Sequence, residues 1–182
     1  MYSMIQAGSM GLPFIAVRGL LGSDLLKHRP EFKVQGNPFQ PGEEVVAVGP
    51  LRPDVAIFHV LKADLWGNAV AAGLRDDLMV ARAARRVIVT AEEIVNRELT
   101  PHGDGAGKTF LPAMDVDAVV HIPFGAHPLS CGTQYPLDRE HMKEYLAASK
   151  GDDSFRAYLQ KYVFSVADQQ EYLERAGKGK SN

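Results

Sequence analysis

A strand–helix–strand pattern in the middle of the chain constrains its fold more than any other feature. Residues 54–60 form an apolar run typical of a strand that is covered on both faces of a sheet. A helix is predicted from Asp76 and Asp77 to Arg86, with acidic residues at its start and arginines at its end. Residues 86–90 then form a second apolar strand. This order predicts neighbouring parallel strands joined by a helix.

Further elements extend this unit at both ends. Strands are predicted at residues 14–17, 44–48 and 116–122, and helices at 138–148, at 154–163 and after Ser165, where Asp168 completes a capping-box-like pattern. We therefore predict an α/β fold, an open and mostly parallel sheet flanked by helices, with a helical C-terminus. The chain of 182 residues fits a single domain, and residues 177–182 are predicted to be a flexible polar tail.

Charge and composition exclude several functional classes. The formal net charge of −2 gives no field that favours nucleic acid or an anionic membrane. No apolar run approaches the roughly 20 residues that a membrane span needs. Cys131 is the only cysteine, so no disulfide forms within the chain, and this usage is typical of a cytoplasmic protein.

The first 41 residues give weaker signals. Residues 2–7 are typical of the interior of a helix, so we expect the chain to start partway through an element, with a frayed terminal helix as the alternative. Residues 18–41 are rich in Gly, Pro, Asn and Gln and are predicted to be irregular. The apolar stretch at 20–26 indicates that this segment is nevertheless ordered and packed.

Two polar segments follow the predicted strands at their C-terminal ends, where parallel sheets bind ligands. Glu92 and Glu93 come just after the strand at 86–90. The segment 62–68 follows the strand at 54–60 and offers Lys62, Asp64 and a Gly-Asn turn. A structural interpretation of this segment, in which Asp64 binds turn amides, stands beside a ligand-binding role for Lys62.

Other polar groups are poorer candidates. Residues 102–109 end in Gly-Lys-Thr, but His102 occupies the position where a phosphate-binding loop needs its first glycine, and prolines flank the loop. The six histidines form no metal-binding spacing, so no metal site is predicted. His59 and His121 are interpreted as satisfied sheet residues, and Cys131 as an inert thiol because it lacks an evident histidine partner.

Several of these segments together resemble family I coenzyme A (CoA) transferases. Residues 62–68 (KADLWGN) resemble the family's Lys-Ala-Asp-x-x-Gly-Asn turn, and 90–95 (TAEEIV) its Glu-Glu-Ile-Val segment. Residues 111–120 (LPAMDVDAVV) resemble the entry to its next strand. The segments 11–24 and 123–128 are similar to the α subunit of the glutaconate CoA-transferase branch. The likeness runs from about residue 11 to residue 146.

The resemblance implies that CoA is passed between two carboxylic acids through a glutamyl-CoA thioester. The family's nucleophilic glutamate sits in a Ser-Glu-Asn-Gly or related motif of the β subunit, which is absent here. The implied chain is therefore an α-type subunit of a hetero-oligomer, with no catalytic residue, no bound cofactor, and CoA as a substrate. The resemblance also implies that the chain is N-terminally truncated, without the family's Gly-Gly-Phe segment. The candidates for the shared site or the subunit interface are Arg18, Gly22, Ser23, Asp24, Lys62, Asp64, Gly67, Asn68, Glu92 and Glu93.

Two alternatives remain open from the sequence. Some members of the superfamily hydrolyse CoA thioesters or open CoA-linked rings, and such an enzyme would need no acceptor acid. A non-catalytic fragment or structural partner would bind the β subunit without activity. Arg18 likewise has two interpretations, a bidentate partner for a substrate carboxylate and an ion pair that fixes its own loop.

Overall fold

The predicted strand–helix–strand unit forms the centre of the protein. A computed structural model describes residues 1–178. Within this range the strands are β1 (Ile15–Val17), β2 (Lys33–Gly36), β3 (Glu44–Val48), β4 (Ala56–Asp64), β5 (Ala69–Val70), β6 (Val87–Val95), β7 (Phe110–Leu111) and β8 (Ala118–His121). The helices are α1 (Tyr2–Ser9), α2 (Leu25–His28), α3 (Asp77–Ala83), α4 (Arg139–Ala148), α5 (Asp152–Leu159) and α6 (Gln169–Arg175).

The larger sheet has five strands in the order β7-β5-β4-β6-β8. β4 pairs with β6 and β6 with β8 in parallel, and α3 makes the connection between the first two. β5 and β7 add an antiparallel edge, because a tight turn after β4 folds β5 straight back beside it. The α/β class with an open sheet and flanking helices is therefore confirmed, as a mixed sheet in which β4, β6 and β8 are parallel.

The smaller sheet corrects the prediction for residues 18–41. This segment is not irregular throughout, because it contains α2 and β2. β2 pairs antiparallel with β3, which also pairs with β1 on its other side. β2 is exposed along its length and holds one apolar residue, Val34, so it carries no alternating pattern that the sequence could reveal.

Two apolar clusters stabilise the two sheets, one cluster for each sheet. In the first, Val60, Val89 and Leu111 of the large sheet are fully buried, and Ala81 of α3 packs against the same cluster. In the second, Val46 and the other buried side chains of the small sheet pack against α1 and the α2 segment. Small residues let the helices approach closely, and at Gly8 of α1 a Cβ atom would lie 2.4 Å from the carbonyl oxygen of Leu51.

The helical C-terminus is confirmed, with different boundaries at its end. α4 begins after Asp138, whose side chain accepts a hydrogen bond from the backbone N–H of His141. α5 continues as one π-helical stretch over Gln160–Phe164. The cap of α6 is Asp168 rather than Ser165, because Asp168 accepts from the N–H of Glu171.

The end of the last helix agrees with the sequence pattern. Gly177 has a φ of 72°, as expected for a residue that ends a helix. Of the predicted flexible tail, residues 179–182 lie outside the described range. Over residues 1–178, every helix is too short or too polar to cross a bilayer.

Candidate functional site

The C-terminal ends of β4 and β6 place Lys62 and Glu93 side by side. They are register partners in the parallel pair, and the Lys62 ammonium lies 2.8 Å from the Glu93 carboxylate. Both side chains are partly exposed. β4 runs to Asp64, so the predicted end of this strand at residue 60 was wrong and Lys62 lies within the strand.

The turn after β4 is built on one buried carboxylate. Oδ1 of Asp64 accepts from the N–H groups of Trp66 and Asn68, and Oδ2 accepts from Leu99 N–H and from the Asn68 side chain, at 2.8 to 2.9 Å. Burial alone would raise the pKa of Asp64, but these hydrogen bonds outweigh it and lower the pKa below its usual value. Gly67 has a φ of 104°, which a residue with a side chain rarely adopts. Asp64 and Gly67 thus determine the conformation of the turn, and the residues at its tip are exposed to solvent.

The tip of this turn presents apolar side chains to solvent. Leu65 and Trp66 are 64% and 60% exposed. Beside them lies a groove of about 490 Å³, bounded by Ile94, by residues 116–119 and by His121. Exposed aromatic groups beside a groove are typical of surfaces that bind a ligand or another chain.

Glu92, the other carboxylate predicted on this edge, is the centre of a buried hydrogen-bond network. Its Oε1 lies 2.6 Å from Nε2 of His59 and also accepts from the hydroxyl of Tyr135. Its Oε2 accepts from the backbone N–H of Phe124 at 2.7 Å. The other ring nitrogen of His59 lies 2.9 Å from the hydroxyl of Thr90. Both Glu92 oxygens and both His59 nitrogens are therefore occupied within the protein.

This network ties the segment 122–136 to the sheet. Phe124 takes a positive φ of 56° and stacks on Tyr135, with ring centroids 4.6 Å apart. Tyr135 in turn accepts from Ala126 N–H at 3.0 Å. The sequence pattern pointed to Glu92 but not to Tyr135, and it indicated only a sheet role for His59. These partners are 43 and 33 positions from Glu92, and no spacing rule joins them.

The segment 18–24 lies on the small sheet, and no hydrogen bond or ion pair found within residues 1–178 joins it to Lys62 or Glu93. Arg18 forms an ion pair with Glu43, which is the loop-fixing arrangement that the sequence left open. Gly22 has a φ of 74°, and the Ser23 hydroxyl donates to the carbonyl of Leu20 at 2.9 Å.

An apolar groove of about 570 Å³ lies next to this segment, lined by Leu20, Leu25, Phe32 and the start of α1. Asp24 pairs with Lys27 at 2.6 Å on the surface. The structure thus separates the sequence candidates into two groups on different sheets.

Two other polar features have structural roles. Residues 101–107 form successive turns leading into β7, without the strand-to-helix geometry of a phosphate-binding loop, and Arg97 pairs with Asp104 across the base. His127 is buried between the hydroxyl of Tyr172 and the carboxylate of Asp138.

Comparison with known proteins shows which family this chain is similar to. The Coenzyme A transferase family profile matches residues 1–121. The A-type chain of glutaconate CoA-transferase from Acidaminococcus fermentans is 38% identical over 97% of this chain, and that of 3-oxoadipate CoA-transferase from Pseudomonas knackmussii is 35% identical over 96%. The chain spans 59% and 60% of the lengths of these two relatives. The crystal structure of the Acidaminococcus enzyme superposes with a TM-score of 0.87, over 97% of this chain and 60% of that one.

Similar chains also have other activities in their names. The structure of the decarboxylase AibA/AibB matches with a TM-score of 0.70 and 34% identity, covering 87% of this chain and 58% of that one. A cholesterol ring-cleaving hydrolase IpdA subunit from Rhodococcus jostii is 28% identical over 90% of this chain and 58% of its own length.

Proposed function

Because this chain belongs to the coenzyme A transferase family, we propose that it is the α-type subunit of a two-chain enzyme that moves CoA from an acyl-CoA to a carboxylic acid. The similarity to the A-type chains of two such transferases supports this assignment. In the proposed enzyme a β subunit supplies the nucleophilic glutamate, CoA is a substrate rather than a bound cofactor, and the chains form a hetero-oligomer. The cytoplasmic location inferred from cysteine usage stays a prediction.

The proposal that the nucleophile belongs to the β subunit rests on the hydrogen bonds and the exposure of the candidate carboxylates in this chain. A nucleophilic carboxylate must present a free oxygen to the substrate. Both oxygens of Glu92 accept internal hydrogen bonds, and Asp64 is 1% exposed with four donors around it. Glu93 is accessible but paired with Lys62. These three carboxylates therefore position backbone or balance charge, which favours a nucleophile from another chain.

The proposed chemistry is a two-stage exchange. A glutamate oxygen of the β subunit first attacks the acyl-CoA carbonyl, forms a mixed anhydride and releases the CoA thiolate. The thiolate attacks the glutamyl carbonyl, so that the first carboxylic acid leaves and a glutamyl-CoA thioester remains. The acceptor acid then repeats these steps in reverse and leaves as the new acyl-CoA.

This chain would contribute a lysine side chain and an apolar turn to the shared site. The Lys62 ammonium, held by Glu93, can pair with an anionic group of the substrate once it exchanges partners. Trp66 and Leu65 supply exposed apolar surface for the other subunit or for the acyl-CoA. The segment 18–24 remains a second proposed contact region.

The assay that tests the proposal follows CoA transfer in the chain mixed with its β subunit. Each chain alone and the mixture are incubated with an acyl-CoA and a panel of short carboxylic acids, and products are separated by chromatography. The proposal expects a new acyl-CoA in the mixture only. Formation of a complex without turnover of any acyl-CoA would instead favour the non-catalytic partner considered above.

A hydrolase or decarboxylase is the second candidate, favoured by the similarity to AibA/AibB and to the IpdA subunit. The same mixture distinguishes these activities. Loss of acyl-CoA without an acceptor acid, with free CoA or an opened ring as product, would indicate hydrolysis. Release of CO2 with the thioester intact would indicate decarboxylation.

A further inference from the structure

Three side chains that can each bind a metal ion lie close together next to β4 and β6. They are His59 on β4, Glu92 on β6 and Cys131, which forms an isolated β-bridge with Tyr135. One ligand atom from each lies within 4.8 Å of the other two. No metal site was predicted from the sequence, because these residues lie far apart along the chain and match no metal-binding spacing.

The hydrogen bonds around His59 hold its ring in place. Nδ1 lies 2.9 Å from the hydroxyl of Thr90, which also lies 3.3 Å from the carbonyl oxygen of Phe58. Nε2 lies 2.6 Å from Oε1 of Glu92, so this nitrogen and this oxygen face each other. The sulfur of Cys131 is the third ligand atom of the cluster.

We propose that His59, Glu92 and Cys131 bind Zn²⁺, with Nε2, one carboxylate oxygen and the thiolate as ligands and water in the fourth position. Zinc accepts this mixture of nitrogen, oxygen and sulfur ligands. Binding displaces the thiol proton and any proton that lies between His59 and Glu92, because zinc ligands must be deprotonated. The negative charges of the thiolate and the carboxylate then offset the charge of the ion in this largely buried site.

The ligand atoms must adjust to accept the ion. Four-coordinate zinc keeps its ligand atoms about 3–4 Å apart, so Nε2 and Oε1 must separate from 2.6 Å, and any pair near the 4.8 Å limit of the cluster must approach. Glu92 Oε2 accepts a hydrogen bond from Phe124 N–H, which holds the carboxylate in place. At Gly125 a Cβ atom would lie 2.6 Å from the His59 ring, so a larger residue there would displace the ligand.

The surroundings match the outer shell of a metal site. Nδ1 of His59 lies at hydrogen-bond distance from the hydroxyl of Thr90, and such a second hydrogen bond orients metal-bound histidines. Cys131 is buried, so its sulfur faces the interior of the cluster rather than solvent.

Cobalt serves as the spectroscopic probe for this site. Tag-free chain is treated with a chelator, desalted and titrated with Co²⁺. We expect one equivalent of Co²⁺ to produce a near-ultraviolet thiolate charge-transfer band and strong visible bands of four-coordinate cobalt, and Zn²⁺ to displace them. Because Cys131 is the sole cysteine, this band can come from no other residue. Absence of the band in the folded wild-type chain would overturn the proposal without any variant.

Variants then test the ligand set. Cys131→Ser should abolish the charge-transfer band, and Thr90→Val should weaken Zn²⁺ binding about 10- to 100-fold, measured by competition with a chromogenic chelator. His102→Gln, in an exposed loop, is the matched control and should bind as the wild type does. Circular dichroism spectra establish that each variant is folded. Zn²⁺ affinity unchanged in Cys131→Ser, or lost equally in His102→Gln, would mean surface binding and would contradict the site.

Discussion

Removing the Asp64 carboxylate should destabilise the protein more than any other single change at the sheet edge. Asp64→Ala deprives four donors of their acceptor. The Leu99 N–H is buried and cannot turn to water, so it bears a desolvation cost of about 1–3 kcal/mol. The donors in the exposed turn can be hydrated and lose about 0.5–1 kcal/mol each. The expected loss in the free energy of unfolding is therefore about 2.5–6 kcal/mol.

Asp64→Asn isolates the role of charge from the role of shape. The amide keeps the volume but offers one accepting oxygen and an NH2 group that faces two donors. We expect a loss of about 2–4 kcal/mol, since two hydrogen bonds are replaced by donor–donor contacts. Glu93→Gln is the control on the same edge. Its ion pair is half-exposed, so its loss should change stability by less than about 1 kcal/mol.

Urea unfolding measures these effects with two probes. Far-ultraviolet circular dichroism reports the whole fold, and fluorescence of Trp66, the single tryptophan, reports the turn itself. The pKa of Asp64 is lowered in the fold, so its contribution is complete above the ordinary aspartate pKa and is lost as the pH falls through the lowered value. If Asp64→Ala and Asp64→Asn both unfold within about 1 kcal/mol of the wild type, the hydrogen-bond reasoning is wrong.

Three further predictions concern packing, protonation and the shared site. Gly125→Ala should cost about 1–3 kcal/mol in urea unfolding, because the added Cβ meets the His59 ring at 2.6 Å, while Gly19→Ala, with open space around it, should not. Burial lowers the pKa of His141, so the stability it confers is complete above the ordinary histidine pKa and declines as the pH falls through the lowered value. An acid titration followed by circular dichroism should show this decline, and His141→Gln should flatten it. Lys62→Ala should leave stability within about 1 kcal/mol but reduce kcat/KM of the two-chain enzyme; unchanged kinetics would remove Lys62 from the site.

The central fold was predictable because its signals are local. Residues 54–60 and 86–90 are continuous apolar runs, and the helix between them carries charges that match its dipole. β4, β6 and α3 appear at these positions, but both strands run on beyond the apolar runs, to Asp64 and Val95, so Glu92 and Glu93 lie within β6 rather than after it. The helix ends at Ala83, earlier than its charges predicted. β2 was missed since it is exposed and stabilised by pairing rather than by its own pattern.

The candidate site was predictable only in part. The turn chemistry of Asp64 and Gly67 follows from residue type, so its structural role could be inferred from the sequence. The network around Glu92 could not, because it depends on contacts with His59 and Tyr135 that arise when β4, β6 and the 122–136 segment meet. Residues so far apart in the sequence show no pattern that reveals their contact. In the structure, the register between β4 and β6 places His59 close to Glu92.

Trapping the covalent intermediate tests the division of labour between the two chains most directly. The chain, mixed with its β subunit, is incubated with acyl-CoA, the thioester is reduced with borohydride, and peptide mass spectrometry locates the reduced glutamate. We predict that the β subunit carries the modification and that Glu92 and Glu93 of this chain are unmodified. A reduced glutamate at either of these positions would contradict the assignment of this chain as the non-nucleophilic subunit.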